Sequence, residues 1–281
     1  FQPFHLWPLG LAAMGAFGWL AWQSPSWKRA LLAGWLFGVA HFTVTDNWIA
    51  TAFTYQAEMP AILGWAAVPL LALYLAVWPA FATCAAWLIA RRANLLAFAL
   101  AFGAMWIAAE WLRSWVFSGY SWGPFSMMML GPWDRPGFAV LLPYAGSYAL
   151  SGITVALAVA LVWLGQAKRF LGIGLVCFVV ALVYFPAGKG RDGSLPLTLV
   201  QPNLRQDEID DASKFEEQFQ RIAGLSRAEG PQSRRLVLWP ESGIPDYLRD
   251  GYPQRYYTQM TAAGDPAFAR ARVGQAIGPD S

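Results

Sequence analysis

The chain has 281 residues, of which 57% are hydrophobic and 13% are charged, and its mean hydropathy is +0.37. Charged residues make up about a quarter of an ordinary soluble domain, so this composition excludes a purely soluble protein. The net charge of +3 does not indicate a nucleic-acid partner, because the excess of Lys and Arg lies in the apolar part of the chain, where it indicates membrane topology.

Charge and tryptophan are divided unevenly along the chain. Residues 1–186 hold 12 charged side chains and 15 of the 16 tryptophans, whereas residues 187–281 hold 25 charged side chains and one tryptophan. We therefore predict a helical membrane domain at 1–186, a linker at 187–194 and the first part of a soluble domain at 195–281.

The membrane part contains six apolar stretches of about 20 residues, the length that an α-helix needs to cross a bilayer. They lie at roughly 4–22, 31–53, 61–90, 95–117, 138–164 and 170–186. The pairs Lys28-Arg29, Arg91-Arg92 and Lys168-Arg169 follow the first, third and fifth stretches. By the positive-inside rule these connections are cytoplasmic, so the residues after 186 should lie on the outer side. Residue 1 should then also lie outside, and we expect a further span before it.

The outer loop 118–137 is rich in Gly, Pro, Met and Trp. It is either an aromatic belt at the membrane interface or a lipid-facing entrance to a site above the membrane. Just before it, Glu110 and Arg113 are three residues apart and share one helical face. Ionisable groups in a membrane are costly, so we predict either a structural ion pair that holds the loop or a catalytic role. Asp46, near the outer end of the second stretch, is predicted to be a polar contact between helices.

The soluble part alternates between strand and helix patterns. Leu197 to Val200 and Leu236 to Trp239 are short, apolar and β-prone. Helical patterns follow them at roughly 212–229 and 252–263. This β-α-β-α order predicts an α/β sheet with a right-handed crossover. Two strands and two helices seldom bury enough apolar surface for independent stability, so we expect the domain to continue with a further strand near residue 281.

One carboxylate, Glu241, stands where the second predicted strand ends. Acidic residues at strand ends beside a turn are common in α/β active sites. On local sequence alone, however, such a residue is more often a helix N-cap neighbour or a solvated turn residue. Cys84 and Cys177 both fall in apolar segments without a CxxC partner, and we predict neither a metal site nor a cofactor.

Four ordered segments of the chain resemble the bacterial apolipoprotein N-acyltransferases. They are FQPFHLWPLG, AEWLRSWVFSGYSW, LTLVQPNLRQD and LVLWPESGIPDYL. The resemblance implies eight spans, of which the six seen here match the second to the seventh, and a nitrilase-like αββα domain in the periplasm. It implies transfer of an acyl chain from a membrane phospholipid to the N-terminal diacylglyceryl-cysteine of an apolipoprotein, at the bacterial inner membrane.

The resemblance also implies roles for individual residues. The family uses a Glu, a Lys and a Cys, and the Glu falls at Glu241, where it would serve as the base for the cysteine thiol. No Cys or Lys follows Glu241 here, so we expect the 281-residue chain to be inactive unaided. The family's Gly-Phe-Pro-Trp appears as Gly119-Tyr120-Ser121-Trp122, which makes Trp122, and with it Tyr120, candidate contacts for a lipid acyl chain.

Two other functions stay open on the sequence. A membrane-tethered nitrilase-type amidase would use the same residues with water as the acceptor, but the apolar loop 118–137 favours a lipid substrate. A non-enzymatic transporter or scaffold would place polar residues at the bundle midplane. The ionisable residues cluster near the outer ends of the predicted spans instead, which argues against a transport path.

Overall fold

A computed structural model of the chain describes ten segments. They are residues 6–55, 60, 62–117, 119–131, 136–183, 193–205, 208–209, 211–227, 234–241 and 243–278. The chain divides into two compact units, Phe1–Lys189 and Gly190–Ser281. The predicted linker 187–194 lies mostly outside the described segments, so its boundaries stay a prediction.

The first unit is helical. Its α-helices are α1 (Trp7–Trp22), α2 (Trp27–Thr45), α3 (Ile49–Ala52), α4 (Ile62–Leu75), α5 (Val77–Ala90), α6 (Leu95–Arg113), α7 (Leu142–Gln166) and α8 (Phe170–Val183). Within the described segments, three stretches are long and apolar enough to cross a membrane: Ile62–Ala90, Leu95–Arg113 and Phe138–Gln166. A fourth apolar helix, Phe170–Leu182, is shorter. The chain is thus consistent with a membrane protein, and the number of six spans stays a prediction.

Three of the predicted stretches are interrupted rather than continuous. The stretch 61–90 breaks between α4 and α5 at Ala76, which places Pro79 in the first turn of α5, where its missing N–H costs least. The stretch 31–53 stops at Asp46 and resumes as the four-residue helix α3. Helix α7 is kinked at Gly146, whose φ of 72° is readily adopted only by glycine.

Small residues bring the membrane helices into close contact. A Cβ atom on Gly103 of α6 would lie 2.5 Å from the carbonyl oxygen of Gly152 in α7, and a Cβ atom on Gly152 would lie 2.6 Å from that of Gly103. A Cβ atom on Gly34 of α2 would lie 2.8 Å from Cα of Ala80 in α5. Helices in lipid associate mainly through such close packing. The glycines therefore fix how α6, which carries Glu110 and Arg113, sits against α7.

The second unit is built on a parallel strand pair. Strands β1 (Leu197–Leu199) and β2 (Leu236–Leu238) pair with Leu197 opposite Leu236. Helix α9 (Phe215–Ser226) lies between them in sequence, and α10 (Gln254–Met260) follows β2. The predicted β-α-β-α order and the parallel pairing are confirmed for these residues.

A third helix, α11 (Pro266–Ile277), follows α10 and was not predicted from the sequence. The further strand expected near residue 281 lies outside the described residues and stays a prediction. Asp265 accepts hydrogen bonds from the backbone N–H groups of Ala267 and Phe268, and Pro266 takes the first helical position, which are two standard helix-start features. Helix α11 packs on α9, where Arg272 lies 3.9 Å above the ring centroid of Phe219.

Candidate functional site

Glu110 lies at the outer end of α6, and its side chain is 5% exposed. Its Oε1 atom accepts hydrogen bonds from the indole Nε1–H of Trp106 at 3.0 Å and from the backbone N–H of Phe125 at 2.8 Å. Among the described residues no direct ion pair joins Glu110 to Arg113, which corrects the predicted pairing. The three-residue spacing does place both on one helical face, but a neighbour on α6 and a backbone amide of the outer segment occupy Oε1 of Glu110, while Oε2 is buried with no hydrogen-bond partner among the described residues.

Arg113 is 3% exposed and also bonds to the outer segment. Its Nη1 atom donates to the backbone carbonyl of Trp122 at 2.9 Å. Its guanidinium lies over the rings of Phe42 and Tyr120, at 5.2 and 5.7 Å from their centroids. Asp46, the residue that caps the C-terminal end of α2, is 3% exposed, and among the described residues neither Asp46 nor Glu110 forms a direct ion pair with Arg113. The role of Asp46 as a polar contact between helices stays a prediction.

The outer segment, residues 119–131, is tied to α6 and α7 through its backbone. The N–H of Tyr120 donates to the carbonyl of Arg113 at 2.7 Å. The N–H of Ser126 donates to Oγ of Ser151 at 2.9 Å, and the Ser126 hydroxyl donates to the carbonyl of Ser147 at 3.2 Å. The segment begins at Gly119, whose φ of 73° favours glycine and where a Cβ atom would lie 2.5 Å from the Ser114 carbonyl oxygen.

The two predicted lipid contacts in this segment differ in exposure. Tyr120 is half-buried and packs against the cluster of Phe42, Ala72 and Leu75. The side chain of Trp122 is 65% exposed, and its ring lies 5.7 Å from the ring of Trp48, which is 50% exposed. Of the two predicted residues, Trp122 is therefore the one whose ring is open to a ligand.

Glu241 lies in the second unit, in a tight turn directly after β2, and its side chain is exposed. The N–H of Gly243 donates to the carbonyl of Pro240 at 2.9 Å, and a Cβ atom at Gly243 would lie 2.6 Å from that oxygen. On the strand side of the turn, the indole Nε1–H of Trp239 donates to Oγ of Ser226 on α9 at 2.8 Å. The glycine and the anchored tryptophan fix the backbone on both sides of the carboxylate.

The described part of the chain holds no obvious partner for Glu241. Lys214, the last lysine of the sequence, is paired with Glu208 at 2.6 Å. Cys84 and Cys177 belong to α5 and α8 of the first unit. No group of three or more His, Cys, Asp or Glu side chains among the described residues could hold a metal ion.

Sequence reasoning missed several contacts of the outer site, by which we mean Glu110, Arg113 and the outer segment. They are the hydrogen bond from the Phe125 amide to Glu110, the contact of Ser126 with Ser151, and the packing of Trp48 on Trp122. Each contact joins residues that are far apart in sequence. Only the Gly-rich and Trp-rich composition of 118–137 hinted at a structured loop.

The sequence of this chain matches a known protein family. Residues 1–160 match the sequence profile of the apolipoprotein N-acyltransferase N-terminal domain, which is more than half of the chain. The chain belongs to the apolipoprotein N-acyltransferase family. The family resemblance read from the four ordered segments is thereby confirmed.

Several proteins named apolipoprotein N-acyltransferase are similar to this member of the family. That of Brucella melitensis is 32% identical, over 81% of this chain and 44% of the relative. That of Pseudomonas syringae pv. tomato is 29% identical, over 86% of this chain and 49% of the relative. That of Methylococcus capsulatus is 27% identical, over 88% of this chain and 50% of the relative. The chain thus spans about half the length of these curated relatives.

Proposed function

We propose that this chain is the membrane part, and the first part of the catalytic domain, of an enzyme that transfers an acyl chain from a membrane phospholipid to the N-terminal diacylglyceryl-cysteine of an apolipoprotein. The observation that carries the proposal is the family match over residues 1–160. The membrane-capable helices and the placement of Glu241 after a parallel β-α-β unit support it.

Glu241 would act as the general base in a two-step reaction. In the first step it takes the proton of a cysteine thiol, and the thiolate attacks the ester carbonyl of the phospholipid. The C–O bond breaks, the proton passes to the leaving lysophospholipid oxygen, and a thioester remains. In the second step Glu241 takes a proton from the incoming amine, which attacks the thioester and forms an amide while the thiol is regenerated.

The cysteine and a lysine that stabilises the tetrahedral oxyanion would come from polypeptide beyond residue 281. The curated relatives are about twice as long as this chain, which leaves room for both. We therefore propose that the 281-residue chain has no transferase activity by itself.

The second unit would be the first part of a nitrilase-like domain. One face of its sheet presents four leucines, each between 44% and 70% exposed: Leu197, Leu199, Leu236 and Leu238. Parallel sheets are normally covered on both faces. A second layer of the same domain, formed by later residues, would bury this leucine face.

The proposed topology places the second unit in the periplasm and the first unit in the inner membrane. The support is the alternation of charge along the sequence, with Lys28-Arg29, Arg91-Arg92 and Lys168-Arg169 in alternate connections. This arrangement would put Glu241 on the side of the membrane where lipoproteins are matured.

The experiment is an acyl-transfer assay on the protein expressed from the complete reading frame that contains this chain. The substrates are phosphatidylethanolamine with an isotope-labelled acyl chain and a synthetic diacylglyceryl-cysteine peptide, and mass spectrometry measures the acyl chain gained by the peptide. Loss of a general base should lower the rate at least about 100-fold in Glu241→Gln. The matched control is Glu217→Gln, which changes an exposed carboxylate on α9.

Two results would contradict the proposal. An unchanged rate in Glu241→Gln would remove Glu241 from the chemistry. Release of labelled free fatty acid without peptide acylation would mean that water is the acceptor, and the protein would then be a hydrolase.

A further inference from the structure

We propose that Glu110 and Arg113 are positioning residues that fix the outer segment 119–131, so that Trp122 packs against Trp48 and the two rings form one exposed surface for a lipid acyl chain. The choice of ligand rests on the proposed function. The positioning itself rests on the geometry of the first unit.

Three buried side chains hold the outer segment, and each bonds to its backbone. Arg113 donates to the carbonyl of Trp122, Glu110 accepts from the N–H of Phe125, and Ser151 accepts from the N–H of Ser126. The relative exposure of these three side chains is 3%, 5% and 0%. Because these contacts are made to the main chain at 122, 125 and 126, they fix the path of the segment itself.

Two buried ionisable side chains are a costly way to hold a loop inside a membrane protein. Arg113 does more than supply one hydrogen bond, since its guanidinium lies over Phe42 of α2 and over Tyr120 of the segment. One side chain therefore links α6, α2 and the outer segment. Trp48 lies three residues after the end of α2, at the N-cap of α3, so the same link sets the distance between the backbones that carry Trp48 and Trp122.

The Trp48–Trp122 surface suits a lipid at the level of the membrane interface. The two ring centroids are 5.7 Å apart at an angle of 47°, and both indoles are at least half exposed. Indole rings offer an apolar face to an acyl chain and an N–H donor to ester oxygens, and tryptophan is enriched at membrane interfaces for this reason.

The first arm of the test measures the distance between the two backbones by thiol cross-linking. Trp48→Cys and Trp122→Cys are combined in the full 281-residue chain, in membranes, with Cys84→Ala and Cys177→Ala as background. A short bifunctional thiol reagent reports their proximity. We expect Arg113→Gln and Glu110→Ala to lower the cross-linking yield about fivefold or more, because each removes a buried hydrogen bond to the segment. Glu110→Gln should keep the yield, since its side-chain oxygen accepts both bonds.

A second cysteine pair separates positioning from general folding. Tyr74 and Phe117 are exposed, their ring centroids are 6.2 Å apart, and neither belongs to the outer segment. The yield from Tyr74→Cys with Phe117→Cys should not change in any of these variants. Equal loss in both pairs, or no loss in either, would overturn the proposal. If Arg113→Gln does not accumulate, Ser151→Ala removes one contact without a charge change and should give the same selective loss.

The second arm tests the ligand with phosphatidylethanolamine that carries a photoactivatable group on its acyl chain. We expect Trp48→Ala and Trp122→Ala to lower labelling of the outer segment severalfold. The matched control is Trp111→Ala with Trp115→Ala, a pair of similar exposure with ring centroids 5.2 Å apart. Equal labelling in both pairs of variants would overturn the lipid assignment. Neither arm measures catalytic turnover, so both results can still be interpreted if the proposed acyl transfer is not observed.

Discussion

The contact between Gly103 and Gly152 gives the sharpest prediction for the membrane unit. In Gly152→Ala the new Cβ atom would lie 2.4 Å from Cγ1 of Ile107 and 2.6 Å from the Gly103 carbonyl oxygen. The side chain could move, but the backbone carbonyl can move only if α6 and α7 separate. Forcing one extra methyl group into such packing costs about 1–3 kcal/mol. Because α6 carries Glu110 and Arg113 while α7 carries Ser151, separation would also loosen the outer segment.

The matched control lies on the same helix. Gly165 has no atom within 4 Å of an added Cβ, so Gly165→Ala should be neutral or stabilising by up to about 1 kcal/mol. The assay heats the detergent-solubilised chain to a series of temperatures and measures the remaining folded protein by gel filtration. We expect a lower midpoint in Gly152→Ala, by about 2–4 °C for each kcal/mol. Equal midpoints for the two variants would refute the close-packing account of this helix pair.

Three further predictions concern the second unit and the topology. Arg235 donates to the backbone carbonyls of Ser226 and Ile277, at the C-terminal ends of α9 and α11. Arg235→Ala should therefore lower the free energy of unfolding of this unit by about 1–3 kcal/mol, measured by pulse proteolysis. The control Arg234→Ala should leave it unchanged. Hydrogen bonds from the Ser213 side chain and backbone lower the pKa of Asp211. Its stabilising effect should therefore be present above its ordinary pKa and lost as the pH falls through the lowered value, and Asp211→Asn should remove this pH dependence from protease resistance. A reporter that is active only in the periplasm should work when fused after Gly193 and fail when fused after Lys168; the reverse result would contradict the proposed orientation.

Much of the secondary structure could be predicted because the signals are local. Phe215, Phe219 and Ile222 have helical spacing and all three are buried in α9. The short apolar runs at 197 and 236 pair as parallel strands. Helix α11 was missed because its sequence alternates alanine and arginine without a clear apolar stripe, although Asp265-Pro266 marks its start.

The outer site was harder to predict because its contacts are not local. The spacing of Glu110 and Arg113 indicates one helical face but not which groups their side chains contact. Their partners are main-chain atoms of Phe125 and Trp122. Every residue has these atoms, so the sequence carries no signal for such contacts. The break at Ala76 and the kink at Gly146 were also missed, because hydropathy is continuous across both.

The central claim is that Glu241 is one member of a catalytic set whose other members lie further along the same polypeptide. The most direct test is to sequence the reading frame beyond Ser281. We predict a continuous frame that supplies a lysine, then a cysteine, and then a final apolar span of about 20 residues. A frame that stops soon after Ser281, or that continues without a cysteine, would contradict the proposed role of Glu241 in acyl transfer.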